Sequence, residues 1–92
     1  MIFCVEDDIS IRDLMVYAFR TSGLEARGFN DGAELFEALE SCAQAHEAPH
    51  LIMLDIMLLG EDGLEILKRL KAQTFTKDIP VIMATAKGTE CD

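Results

Sequence analysis

The most constraining stretch of this chain is Leu51-Ile52-Met53-Leu54-Asp55, four apolar residues without a break and then a carboxylate. A run this short and this apolar suits a strand buried on both faces, as in a parallel sheet covered by helices. Such a strand has no room for a charge along its length, so Asp55 belongs where the strand ends and water begins. In open α/β sheets, ligands bind at that carboxyl end. The rest of the chain is therefore read for what it brings to Asp55.

Ile2-Phe3-Cys4-Val5 is a second short apolar run, closed by the three acids Glu6-Asp7-Asp8. Ile11, Leu14, Met15, Ala18 and Phe19 then recur at helical spacing and predict one apolar stripe. Asp8 or Ser10 can cap that helix, and Gly23 is placed to stop it. Leu24 to Phe29 alternates apolar and polar until Gly28, which predicts a half-exposed edge strand. Asp31 and Glu34 have the spacing of a capping box. The second helix they open carries Leu35, Leu39 and Cys42 on one face, with Phe36 beside them, and Ala48-Pro49-His50 ends the segment. Beyond Asp55 and its loop, Asp62 and Glu65 repeat the cap spacing. Leu64, Leu67 and Lys71, with Ile66 and Leu70, mark a third amphipathic helix. Thr76-Lys77-Asp78 predicts a polar turn. Ile79 to Ala84 is the last strand, with Pro80 tolerated near its start, and Thr85 follows at its carboxyl end.

Strands alternating with helices imply an α/β fold, a mainly parallel sheet with helices on both sides and right-handed connections. The second strand is the expected edge. An order of 2-1-3-4 sets the first and third strands side by side where the winding reverses, and that crevice is the expected ligand site. Glu6, Asp7 and Asp55 would line it, with Thr85 alongside.

The length suits one small domain, residues 1–92. Eight basic against seventeen acidic residues give a net charge of −9. That argues against nucleic-acid contact by this domain and suits a cation or a basic partner. No apolar run is long enough to span a bilayer, and the first residues lack the features of a secretory signal. Cys4, Cys42 and Cys91 are odd in number and at no metal-like spacing, which fits free thiols in a reducing cytoplasm. His46 and His50 read as surface residues, and the five methionines as core filler.

Three carboxylates meeting in a crevice repel one another, at roughly 4 kcal/mol for two unit charges about 4 Å apart at an effective dielectric near 20. A divalent cation removes that cost. With oxygen donors only, a hard ion such as Mg²⁺ is selected, and the backbone carbonyl of Met57 can add one more oxygen. A carboxylate such as Asp55 can attack phosphorus, and Thr85 can hydrogen-bond a phosphoryl oxygen. The residues thus permit a phosphoaspartate site without requiring one.

Three motifs taken together resemble the receiver domain of bacterial two-component response regulators. They are Ile2 to Asp8, Leu51 to Gly63, and Ile79-Pro80-Val81-Ile82-Met83-Ala84-Thr85-Ala86. They are spread over nearly the whole chain in the family's order and spacing. The resemblance implies a flavodoxin-like, CheY-like fold; the order 2-1-3-4 is also the family's order and is not independent of it. It implies that Asp55 is the phosphoacceptor served by a sensor histidine kinase, that Glu6, Asp7 and the Met57 carbonyl join Asp55 in holding Mg²⁺, and that Thr85 is the switch hydroxyl with Ala86 leaving space beside it. Such a domain is a non-turnover phosphoacceptor, not an enzyme in the usual sense. The phrasing around Asp55 is similar to that of regulators with a C-terminal DNA-binding effector domain, which implies transcription control.

Two departures stand out. Leu59 occupies a position where the family usually has proline. The family also continues through a further helix, strand and helix, bringing a lysine that Lys87 does not replace; the chain reads as an incomplete receiver lacking its fifth strand. The uncovered edge and apolar face predict a homodimer or a strand-exchanged assembly. Two rival readings stay open: an interaction module that works without phosphorylation, and a metal-dependent phosphatase or nuclease. Enzymes of the latter kind commonly place a second acid two residues after the first, where this chain has Met57.

Overall fold

The computed structural model of the chain describes residues 1–55 and 63–84. Four strands, β1 (Ile2–Val5), β2 (Ala26–Phe29), β3 (Leu51–Asp55) and β4 (Val81–Ala84), alternate with helices α1 (Ile9–Thr21), α2 (Gly32–Ala45) and α3 (Gly63–Ala72). Every pairing is parallel and the strand order is β2-β1-β3-β4, the flavodoxin-like arrangement the sequence predicts. Parallel neighbours cannot be joined by a tight turn, so a helix makes each return.

The helix ends follow from local chemistry. Asp8 caps α1, its Oδ1 accepting from the amides of Ser10 at 2.9 Å and Ile11 at 3.1 Å. At the other end Gly23 takes φ 88°, where a side chain would be strained, and the Leu24 amide donates back to the Phe19 carbonyl at 3.0 Å. For α2, Asp31 Oδ1 accepts from the Glu34 amide at 3.0 Å while Glu34 Oε1 accepts from the Asn30 amide at 2.8 Å. The reciprocal acid is present as the spacing predicts, displaced by one residue on the return bond.

Side chains alternate across the sheet. Phe3 and Val5 of β1 and Ile52 and Leu54 of β3 enter the larger core, with Phe29, Leu35, Leu39, Ile66, Leu70 and Ile79. Phe3 and Phe29 meet edge to face with ring centroids 4.9 Å apart. Ile2 and Cys4 take the opposite face beside Ala26, against Met15, Val16 and Phe19 of α1. Burial pushes the Cys4 thiol up, so it is a packing residue and a poor nucleophile.

The two faces are covered unequally. No side chain of α1 is fully buried, and Leu14 and Tyr17 each remain 66% exposed. The expected stripe is corrected: Met15 and Phe19 pack, joined by Val16, whereas Ile11, Leu14 and Ala18 are exposed. α1 lies chiefly over β2 and β1, so only the edge of the stripe nearest those strands is covered. In α3, Leu64 also faces outward, and Ile66 and Leu70 are the buried pair.

Two strands start later than their apolar runs. β2 begins at Ala26 because Leu24 belongs to the end of α1. β4 begins at Val81: the Ile79 amide bonds the Thr76 carbonyl at 3.0 Å, and Pro80 has no N–H to give. Thr76, expected in a polar turn, is 1% exposed and its hydroxyl donates to the Leu70 carbonyl at the end of α3. Thr76→Val keeps the shape and removes that donor. It should lower unfolding free energy by about 1–3 kcal/mol in urea melts, the cost of a lost buried hydrogen bond.

Candidate functional site

The site is set by register. Val5 lies level with Leu54 in the β1–β3 ladder, so the next residues, Glu6 and Asp55, come level at the carboxyl edge. By alternation Glu6 continues the Cys4 side of β1 and Asp55 the Met53 side of β3, which is one and the same face. The β1–β3 seam is where the winding reverses, so the two helices that follow these strands diverge and leave the edge open. The Glu6 amide still donates to the Phe29 carbonyl of β2 at 3.0 Å, which anchors the chain as it leaves the sheet.

One carboxylate oxygen from each of Glu6, Asp7 and Asp55 lies within 4.8 Å of the others. Glu6 and Asp55 are each only 6% exposed, and Asp7 is half-buried. Asp8 is exposed and turned to the first turn of α1. The electrostatic consequence falls on Glu6, whose carboxyl is raised from 4.5 to about 7. Burial is the largest cause; the negative charge of Asp55 and hydrogen bonds shared with Asp7 and Asp55 push the same way, against the Asp8 amide, which donates to Glu6 Oε2 at 3.2 Å. A carboxyl that holds its proton near neutrality beside two others is a cluster short of positive charge. The donors are all oxygens, two of them at the buried end, and this set fits a small hard cation that keeps part of its water shell.

The structure thus brings together three of the residues singled out in the sequence. Met57 and Thr85 lie outside the described residues, as do Leu59, Asp62, Ala86 and Lys87. A residue not singled out also reaches the site: Arg12, which bonds the Glu6 carbonyl. A long side chain bonding a backbone oxygen leaves no mark on spacing or composition.

Residues 2–92 match the family model of the response regulator receiver domain. The chain belongs to that family. The receiver domain is 40% identical over 94 residues to the phosphate regulon transcriptional regulatory protein PhoB of Pseudomonas aeruginosa, a match covering 97% of this chain and 37% of that protein. Against PhoB of Escherichia coli it is 39% identical over 92 residues, covering 99% and 38%. It therefore spans less than two-fifths of these curated relatives. Among solved structures, the N-terminal domain of a response regulator receiver protein from Methanoculleus marisnigri JR1 matches with a TM-score of 0.79 and 33% identity, over 96% of this chain and 72% of that one. The response regulator protein TrrA from Thermotoga maritima, solved in complex with Mg²⁺-BeF, matches with a TM-score of 0.78 and 28% identity, over 92% and 68%.

Proposed function

We propose that this receiver domain accepts a phosphoryl group on Asp55 from a sensor histidine kinase in the cytoplasm and signals by the change that follows. The observation that carries the reading is the convergence of Glu6, Asp7 and Asp55 at the β1–β3 seam. A carboxylate oxygen of Asp55 attacks phosphorus; the new P–O bond forms as the P–N bond to the donor imidazole breaks, and the imidazole leaves with the electron pair. Glu6 and Asp7, with Asp55, are the residues that would hold Mg²⁺, which when bound supplies positive charge to the phosphoryl oxygens. Burial of Asp55 at the strand end limits water at the acyl phosphate. The Met57 carbonyl as a further metal ligand and Thr85 as the switch hydroxyl belong to the same reading. Each chain takes up one phosphoryl group on Asp55 and is itself the product of the transfer, so the domain is a phosphoacceptor and not a turnover catalyst.

The effector is proposed from the relatives. Both PhoB proteins are named transcriptional regulators, and a DNA-binding segment in the same polypeptide is the corresponding reading here. The net charge of −9 keeps the receiver itself off nucleic acid. Among the described residues, no helix is long and apolar enough to cross a membrane.

A small radiolabelled acyl phosphate with Mg²⁺ tests the reading. One acid-stable, hydroxylamine-labile label per chain, mapped to the Asp55 peptide, is the expected result. Continued release of inorganic phosphate over many turnovers would favour a phosphatase instead, and no label at all would favour an interaction module.

The same reading includes self-association. Leu14 and Tyr17 of α1 and Ile82 of β4 (49% exposed) leave apolar surface on one face, and β4 pairs only with β3 among the described residues. The 92-residue chain should sediment as a concentration-dependent dimer, and Leu14→Glu with Tyr17→Glu should shift it to monomer. A parent chain that stays monomeric at millimolar concentration rules this part out.

A further inference from the structure

Arg12 sits in the first turns of α1, its own amide bonded to the carbonyl of the cap residue Asp8 at 2.9 Å. Its Nη1 donates to the Glu6 carbonyl at 2.8 Å and to Asn30 Oδ1 at 3.4 Å. Both acceptors are neutral. The aliphatic stem runs over β2 at Gly28, where a Cβ would lie 2.7 Å from Arg12 Cγ and 3.0 Å from Cδ. Asn30 is fixed in its turn, its amide donating to Glu34 Oε1 at 2.8 Å and its Nδ2 to Asp31 Oδ2 at 3.4 Å. One guanidinium therefore ties the start of α1 to the exits of β1 and β2.

The effect on Glu6 follows from the planarity of the peptide bond. The plane before Glu6 is held through its N–H, which donates to Phe29. The plane after it, shared with Asp7, is held through its C=O by Arg12. With both planes fixed, φ and ψ of Glu6 are fixed. The direction of the Glu6 side chain and the place of the Asp7 Cα are then set by the backbone, and the plane after Asp7 is held in turn by the Asp8 N–H, which donates to Glu6 Oε2 at 3.2 Å.

We infer that Arg12 is a positioning residue of the acidic site, holding the Glu6–Asp7 peptide so that these two carboxylates stay converged with Asp55 on a divalent cation. This rests on the reading of that cluster as a Mg²⁺ site. It assigns Arg12 a role through the backbone and not through its charge, and the two roles predict opposite signs. A cation near a cation site weakens metal binding by repulsion, so removing it would tighten binding; removing a positioning bond loosens binding.

The test is Mg²⁺ titration calorimetry at pH 8, with the amide chemical shift of Asp7 followed in parallel. Arg12→Met keeps the stem over Gly28 and removes the donor. Its Mg²⁺ affinity should fall about tenfold, the low end for loss of a group that orients metal ligands, and the Asp7 amide should shift before any metal is added. Arg12→Lys, whose single nitrogen can replace the one nitrogen that makes both bonds, should recover most of the affinity. Ile66→Val, in the core beneath the other face, serves as a destabilised control and should bind as the parent does. Gly28→Ala displaces the stem and should weaken binding in the same direction, which keeps the test open if Arg12→Met does not fold. Parent-like or tighter binding by Arg12→Met, or by Gly28→Ala where that variant is the one measured, overturns the inference. An equal loss in Ile66→Val, or no recovery in Arg12→Lys, does the same. If the parent chain binds no Mg²⁺, the site reading itself falls and takes this inference with it.

Discussion

Asp55→Asn will be more stable than the parent in metal-free buffer at pH 8, and it will take no phosphoryl group. The second half is chemical: a neutral amide is not a nucleophile towards phosphorus. The first half is electrostatic. Asp55 is 6% exposed and its charge acts on Glu6, whose proton it helps to retain. Asparagine fills the same volume and still accepts through its carbonyl oxygen, its amide adds a donor, and it ends the repulsion. Two unit charges about 4 Å apart cost roughly 4 kcal/mol at an effective dielectric near 20; a site open at its rim recovers only part, so a gain of about 1–2 kcal/mol is expected. Urea melts should show a higher midpoint with an unchanged slope. The gain should shrink at pH 5, where Glu6 is already protonated and carries no charge for Asp55 to repel. The pairing of effects separates chemistry from misfolding, since a variant that fails to label because it is damaged would be less stable. Label on Asp55→Asn, or a midpoint at or below the parent's at pH 8, would refute the assignment of Asp55 at the centre of the cluster.

How much of this was readable beforehand depends on whether a feature is written in spacing. The runs Ile2 to Val5 and Leu51 to Leu54 are all apolar because both faces of the central strands are covered, which marks them as buried strands. The apolar run of β4 looks the same, so the order that sets β1 beside β3 rested also on the family resemblance. With those two strands adjacent and in register, Glu6 meeting Asp55 follows from counting. The caps at Asp8 and Asp31 were readable because a side chain bonding three residues ahead has a fixed offset. The edge of α1 that meets the sheet was not. Leu14 and Ile11 have the same helical period as Met15 and Phe19, and which of them is covered depends on where the helix lies over its neighbours. Thr76 hid for a related reason: its hydroxyl is satisfied by the Leu70 carbonyl, so a residue that composition assigns to a turn is part of the core. Arg12 hid because its partners are a backbone oxygen and an asparagine far away in sequence.

Mg²⁺ titrated into the protein at pH 6 will expel nearly one proton, and at pH 8 almost none. In the metal-free fold the Glu6 carboxyl is raised from 4.5 to about 7, so at pH 6 about nine-tenths of the molecules hold that proton, and metal binding needs the carboxylate. Calorimetry in buffers of different ionisation enthalpy counts the protons directly. The stability of the metal-free protein carries the same signature with its own sign. Between pH 4.5 and 7 the native state keeps a proton that the unfolded chain has lost. The unfolded state binds fewer protons there, so stability falls as pH rises through that window and levels off above it. Saturating Mg²⁺ pulls the carboxyl down instead and cancels the fall, so the stabilisation by metal should grow from pH 5 to pH 8. Glu6→Gln has no proton to lose and should release far less than the parent at pH 6, while its metal-free stability should no longer decline across the window. Equal proton counts at pH 6 and pH 8, or a parent-like count in Glu6→Gln, would mean that Glu6 does not face the ion, whatever its distance from Asp55.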